Sequence, residues 1–154
     1  MKKVLFIATL LIGSLASFSQ TVSKPQYFVQ AGVSTGGNRV VNTDLEFGAE
    51  AKNNRVSIVG QAFTDSKSRE RFLIGLKYLR VLPIFDKLDG TVSLAAKTRV
   101  DNTSLYVVEP GAGFNYSLGK GVGLVAGMSV PVSQTPANKR QTSVAGNAGL
   151  IFKL

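Results

Sequence analysis

The chain has 154 residues, with 18 Lys and Arg against 9 Asp and Glu, and it contains no Cys and no His. That length suits one domain and not two. The two missing residue types exclude disulfide frameworks, thiolate or imidazole metal sites, and every triad that relies on an imidazole base.

Met1, Lys2 and Lys3 precede an apolar run from Val4 to Leu15. Two lysines before about a dozen apolar residues is the layout of a secretory signal peptide, and the run is shorter than the roughly 20 residues a spanning helix needs. Ser17 and Ser19 suit cleavage after Ser19, which divides the chain into a signal peptide over 1–19 and a mature part over 20–154. No cysteine follows the apolar run, so a lipoprotein anchor is excluded.

Beyond the leader, helical periodicity is scarce and period-two alternation recurs. It predicts eight strands, near 26–34, 43–52, 55–64, 70–80, 88–99, 104–118, 121–132 and 142–154. The first sets Tyr27, Val29, Ala31 and Val33 against Gln30, Gly32 and Ser34. The second sets Leu45, Phe47, Ala49 and Ala51 against Glu46, Gly48, Glu50 and Lys52. The fourth sets Phe72, Ile74, Leu76 and Tyr78 against Gly75 and Lys77. The sixth, seventh and eighth repeat the pattern, with Glu109, Gly111, Asn115, Gly127, Asn147 and Lys153 on their polar faces.

Such alternation fits a soluble barrel with its apolar face inside, or a membrane barrel with that face toward lipid. Three features favour lipid. The polar face is rich in Gly and small residues, as a narrow lumen requires. The strands run about 9 to 13 residues, enough for a tilted strand to cross a bilayer, whereas soluble strands average nearer 5 or 6. The connections also alternate in length, with the tight turns Asn53-Asn54 and Gly119-Lys120-Gly121 between longer links. With both termini in the periplasm, tight turns fall there and long loops outside. Val81 to Lys87 is an apolar link that departs from this rule. Tyr27, Tyr78, Tyr116 and Phe152 lie on the apolar face near the periplasmic ends, and Phe72 and Tyr106 near the opposite ends, which predicts two aromatic belts. In hydrocarbon an open sheet edge leaves backbone groups unpaired, so the sheet must close. The expected fold is therefore all-β, an eight-stranded antiparallel up-and-down transmembrane β-barrel after the signal peptide.

The signal peptide, the eight strands, the stretch Tyr78-Leu79-Arg80-Val81-Leu82-Pro83-Ile84-Phe85-Asp86-Lys87 and the stretch Gly111-Ala112-Gly113-Phe114-Asn115-Tyr116-Ser117-Leu118-Gly119 carry a resemblance. The chain resembles small outer-membrane β-barrel proteins, the porin-like group common in Bacteroidetes, over essentially the whole mature part. The resemblance implies an outer-membrane location and assembly by the barrel-insertion machinery. Such barrels often end in an aromatic residue that this machinery reads. This chain ends Phe152-Lys153-Leu154, which leaves that role to Phe152. No further domain, and so no cell-wall tether, is expected after the last strand.

Glu46, Glu50 and Glu109 should share the lumen with Lys52, Lys77, Lys97 and Lys153. Buried charges are tolerable when paired, so these seven are expected to form a charge network and not a pair of acid and base catalysts. Gly119-Lys120-Gly121 lies between strands and is a turn, not a phosphate loop. Arg39, Lys67, Arg69, Arg71, Arg99, Lys139 and Arg140 make the outside loops basic, a fit to lipopolysaccharide phosphates. Aromatics do not interleave with them, so nucleic acid is not an expected partner.

The expectation is a monomeric outer-membrane protein with a structural or interaction role. It has a filled lumen, loops that meet lipopolysaccharide or external partners, no enzymatic activity, no cofactor and no metal. Two alternatives stand beside it: a narrow pore for ions or small solutes, and a soluble secreted barrel binding an apolar ligand.

Overall fold

The structure is a computed structural model that describes residues 24–35, 41–64, 70–100, 102–134 and 140–154. The signal peptide expected over 1–19 lies outside the described residues. The strands are β1 (Gln26–Thr35), β2 (Val41–Ala51), β3 (Asn54–Thr64), β4 (Glu70–Phe85), β5 (Leu88–Arg99), β6 (Asn102–Gly119), β7 (Val122–Ser129), β8 (Val132–Gln134), β9 (Arg140–Thr142) and β10 (Ala145–Lys153). β7 and β8 form one stave interrupted at Val130 and Pro131, and β9 and β10 form another. Pro131 has no N–H to give to a ladder, which accounts for the first break.

Neighbouring staves pair antiparallel in chain order. β10 pairs with β1 and β5 with β6, so the sheet closes as an eight-stranded barrel. A walk across the ladder from Gln26 passes Glu50, Arg55, Leu79, Ser93, Gly111 and Ser129 and ends at Ala145, one residue before the Gly146 that faces Thr35. The circuit therefore climbs about ten residues along β1, which for eight strands corresponds to a strand tilt of roughly 40°.

The alternation settles which side chains look inward. Leu45 is 58% exposed, whereas Glu46 beside it is 4% exposed. Ile74, Leu124 and Leu150 are exposed as well, so the apolar rows form the outer surface and do not line an interior cavity. The lumen is less uniformly polar than small and charged residues alone would make it. Phe28, Val59, Leu73, Leu79, Val81, Val107 and Ile151 are also buried inside.

Two expected turns move. Ala51 pairs with Asn54, so the β2–β3 turn is Lys52-Asn53, with Lys52 at φ 54°. Pairing Glu50 with Arg55 puts both on one lumen row and leaves those two residues to reverse the chain. The apolar link Val81 to Lys87 is mostly strand. β4 runs on to Phe85, with a register shift at Pro83, and Asp86-Lys87 is the turn. Alternation continues through it, with Val81 buried inside and Leu82 and Ile84 exposed outside. All three connections at the end that holds the start of β1 and the end of β10 are therefore tight. At Gly119-Lys120-Gly121 every φ is positive, at 96°, 51° and 79°, a conformation that glycine adopts readily.

Glycines on the lumen rows let the strands come close. Gly113 faces Gly127. A methyl at Gly113 would meet the Ala126 carbonyl oxygen and lie 2.9 Å from Gly127 Cα, so backbone has to move. Gly113→Ala is expected to lower stability by about 1–2 kcal/mol, read as a lower urea midpoint, through overpacking. Gly60→Ala, on the outer row with no atom nearer than 3.9 Å to the added methyl, should leave the midpoint in place.

Candidate functional site

The functional candidate is the lumen itself, because the lumen rows collect the ionisable side chains into three tiers. In the tier nearest the termini, Arg55 Nε donates to Glu50 Oε2 at 2.7 Å, and Lys153 Nζ lies 3.3 Å from the same oxygen. The Arg55 guanidinium stands over the Phe28 ring, 5.5 Å from its centroid. Arg55, Phe28 and Ile151 are the largest fully buried side chains among the described residues, and together they fill this end.

The middle tier is Glu46, which accepts from Lys77 Nζ at 2.9 Å and from Ser57 Oγ at 2.6 Å. In the third tier Lys97 Nζ donates to Glu109 Oε2 at 2.6 Å and to Gln61 Oε1 at 3.3 Å. Ser129 Oγ donates to Glu109 Oε1 at 2.6 Å, and Gln61 Nε2 to Ser34 Oγ at 3.1 Å. Each tier links neighbouring strands and strands one further along the wall, as Glu46 on β2 meets Lys77 on β4 and Lys97 on β5 meets Gln61 on β3. Glu46, Glu50 and Glu109 are each held by at least one cation, whereas the buried Asp44 Oδ1 on the same β2 row has no hydrogen-bond partner. Uncompensated charge at this depth costs several kcal/mol per ion, and pairing with further hydrogen bonds offsets it.

What space remains is small. A cavity of about 60 Å³ is bordered by Gln30, Glu46, Lys77, Lys97, Glu109 and Asn147, and a second of about 40 Å³ by Arg55, Lys77, Thr91 and Asn147. Both suit a few water molecules and are far below the size of a drug-like ligand.

Six of the seven residues expected in the lumen network are brought together there: Glu46, Glu50, Lys77, Lys97, Glu109 and Lys153. Lys52 is not. The lumen row of β2 ends at Glu50, and the turn carries Lys52 outward into an exposed position. Its place opposite Glu50 is taken by Arg55, which sequence reasoning missed. The signal was present in β3, where Arg55, Ser57 and Gln61 alternate with Val56, Ile58 and Ala62.

The basic set divides. Arg39, Lys67, Arg69 and Lys139 lie outside the described residues. Arg71 and Arg99, expected in loops, stand within β4 and β5 and are half-buried. Arg99 pairs with Leu73 and Arg71 shares Leu73's face, so both belong to lumen rows near the loop end and not to the outer rim. Arg140 opens β9.

The aromatic set lies on the outer rows. Tyr27, Phe72, Tyr106, Tyr116 and Phe152 are all exposed. Tyr78 is half-buried, its hydroxyl donates to Asn54 Oδ1 at 2.7 Å, and it stands higher than the other three of its expected belt because β4 continues past it to Phe85.

No family model and no curated protein matches the sequence. Solved structures do match in fold. The N-terminal β-barrel domain of Pseudomonas aeruginosa OprF aligns with a TM-score of 0.64 at 13% identity, over 84% of this chain and 97% of that one. A de novo designed transmembrane β-barrel gives 0.57 at 15% identity, over 87% of this chain and 100% of the design. Neisserial surface protein A gives 0.53 at 12% identity, over 84% and 96%. At these identities the likeness concerns the fold, an eight-stranded barrel spanned end to end in each case.

Proposed function

We propose that this chain is an outer-membrane barrel of the porin-like type, exported by its signal peptide and seated by the barrel-insertion machinery. Its closed lumen serves stability, and its role is structural or interactive at the cell surface. The observation that carries this reading is the pairing of an ionic interior with an apolar exterior. On the outer face, Phe72 and Tyr106 stand about ten residues from Tyr27, Tyr116 and Phe152 along strands tilted by roughly 40°. That separation is roughly 25 Å, the height of the lipid-facing band of such barrels. A water-facing exterior of this kind is far beyond the apolar patches that soluble monomers carry.

The same lumen argues for a closed barrel and against a pore. Arg55, Phe28 and Ile151 block one end, and above them Glu46 is paired with Lys77 and Glu109 with Lys97. It argues against catalysis too, because Glu46 and Glu109 each accept from a lysine and a serine and neither is left to move a proton. The basic positions Arg39, Lys67, Arg69 and Lys139 follow the loop-side strand ends, which supports contact with the phosphates of lipopolysaccharide.

The protein extracted from membranes should migrate differently on a gel before and after boiling, and should give no steps of conductance in planar bilayers. Identical migration together with release by salt alone overturns the membrane reading. Stable single-channel steps overturn the closed lumen and favour the narrow pore.

A further inference from the structure

Between the two aromatic levels, Arg80 is the one charged residue on an outward row among the described residues. Its row on β4 reads Ile74, Leu76 and Tyr78 on one side and Leu82 and Ile84 on the other. The ladder of paired residues sets Arg80 within about one or two residues of the height of Tyr27, Tyr116 and Phe152, at a tilt of roughly 40°. Nothing in the wall neutralises it. Arg80 Nη1 donates to Asn54 Oδ1 at 3.1 Å, and that oxygen already accepts from Tyr78 Oη at 2.7 Å. Among the described residues no carboxylate pairs with Arg80. The adjoining β2–β3 turn contributes a second exposed cation, Lys52, and Val81 N binds the Asn53 carbonyl of that turn at 2.7 Å, which fixes turn and strand side by side.

An unpaired guanidinium facing a bilayer is costly in the hydrocarbon and nearly free at the interface, where an anion is at hand. Its planar fork matches two phosphate oxygens at once. Leu76, Ile58 and Leu94, all exposed, continue from this point toward the middle of the band and give acyl chains an apolar bed.

We propose that Arg80, with Tyr78, Asn54 and Lys52 around it, is a binding site for the phosphodiester of a glycerophospholipid in the periplasmic leaflet. The inference rests on the membrane reading above. It goes beyond it by naming a lipid class, a leaflet and the residue that recognises it. The end of the barrel decides the source: this rim holds the start of β1, the end of β10 and the tight turns, which the membrane reading places in the periplasm, away from the leaflet that carries lipopolysaccharide.

The test is native mass spectrometry of the full chain released from detergent micelles and titrated with phosphatidylglycerol. The wild type should retain one phospholipid, and Arg80→Gln should retain it at least five-fold less. Lys120→Gln, an exposed cation in the β6–β7 turn, should behave as the wild type. The gel shift on heating, read on the same samples, reports the folded membrane barrel separately. A normal shift with equal retention by wild type and Arg80→Gln overturns this inference alone. Displacement of the phospholipid by inorganic phosphate at matched concentration also overturns it, because the site then reads a free anion and not a lipid.

Discussion

Lys97→Met should destabilise the folded barrel by about 3–5 kcal/mol, the loss that follows when one partner of a buried ion pair is removed. The Lys97 side chain is 5% exposed and that of Glu109 16%, so little solvent is available to screen what remains. Without the ammonium, Glu109 keeps the Ser129 hydroxyl as its near donor, and Gln61 Oε1 loses the Lys97 Nζ that donates to it. The companion variant separates charge from packing. Lys97→Met combined with Glu109→Gln removes both charges and leaves an amide that still accepts from Ser129, so most of the lost stability should return. Urea unfolding in micelles, followed by the gel shift, reads both. A single-variant loss under 1 kcal/mol, or no recovery in the double variant, shows that this tier is hydrated and that the lumen is open at the depth of Lys97.

The strands were legible because the barrel wall is one residue thick. Each position faces either outward or into the lumen, and the sequence alternates accordingly, so Leu45 against Glu46 or Ile74 against Lys77 can be assigned without a partner strand in view. Closure was legible for a related reason, since an open edge has no tolerable place in hydrocarbon. What escaped was what depends on register. The turn at Lys52-Asn53 is set by Glu50 meeting Arg55 across the ladder, and neither residue alone indicates where the chain reverses. Pro83 reads as a strand breaker, yet the ladder absorbs it with a register shift and β4 continues to Phe85. Arg71 and Arg99 fall inside the strands that the alternation predicts, at 70–80 and 88–99, but so near their ends that they group with the loop cations, and only the register places them on lumen rows. The three-tier arrangement itself was not readable, because the stagger of the barrel decides which lysine meets which glutamate. Lys97 is 12 residues from Glu109, while Lys153 and Glu50 meet across 103 residues of sequence.

Leu45→Arg carries the other large expectation, because it gives opposite results for the two environments an apolar exterior can have. Leu45 is 58% exposed on the outer row of β2, about midway between the two aromatic levels. In a bilayer, an arginine at this depth should cost about 2–4 kcal/mol, the measured range for a cation on the lipid face near the midplane. In water the same change replaces an exposed leucine by a charged residue, and surface substitutions of that kind stay within about 0.5 kcal/mol. Thr43→Arg on the same row, nearer the loop end, should cost about 1 kcal/mol or less in the bilayer, because the penalty falls toward the interface. Refolding into phosphatidylcholine vesicles and reading the urea midpoint of each variant gives the profile. A cost that peaks at Leu45 and fades at Thr43 is the signature of a hydrocarbon slab around the barrel, and a flat profile means that water surrounds the chain and the apolar rows require another partner.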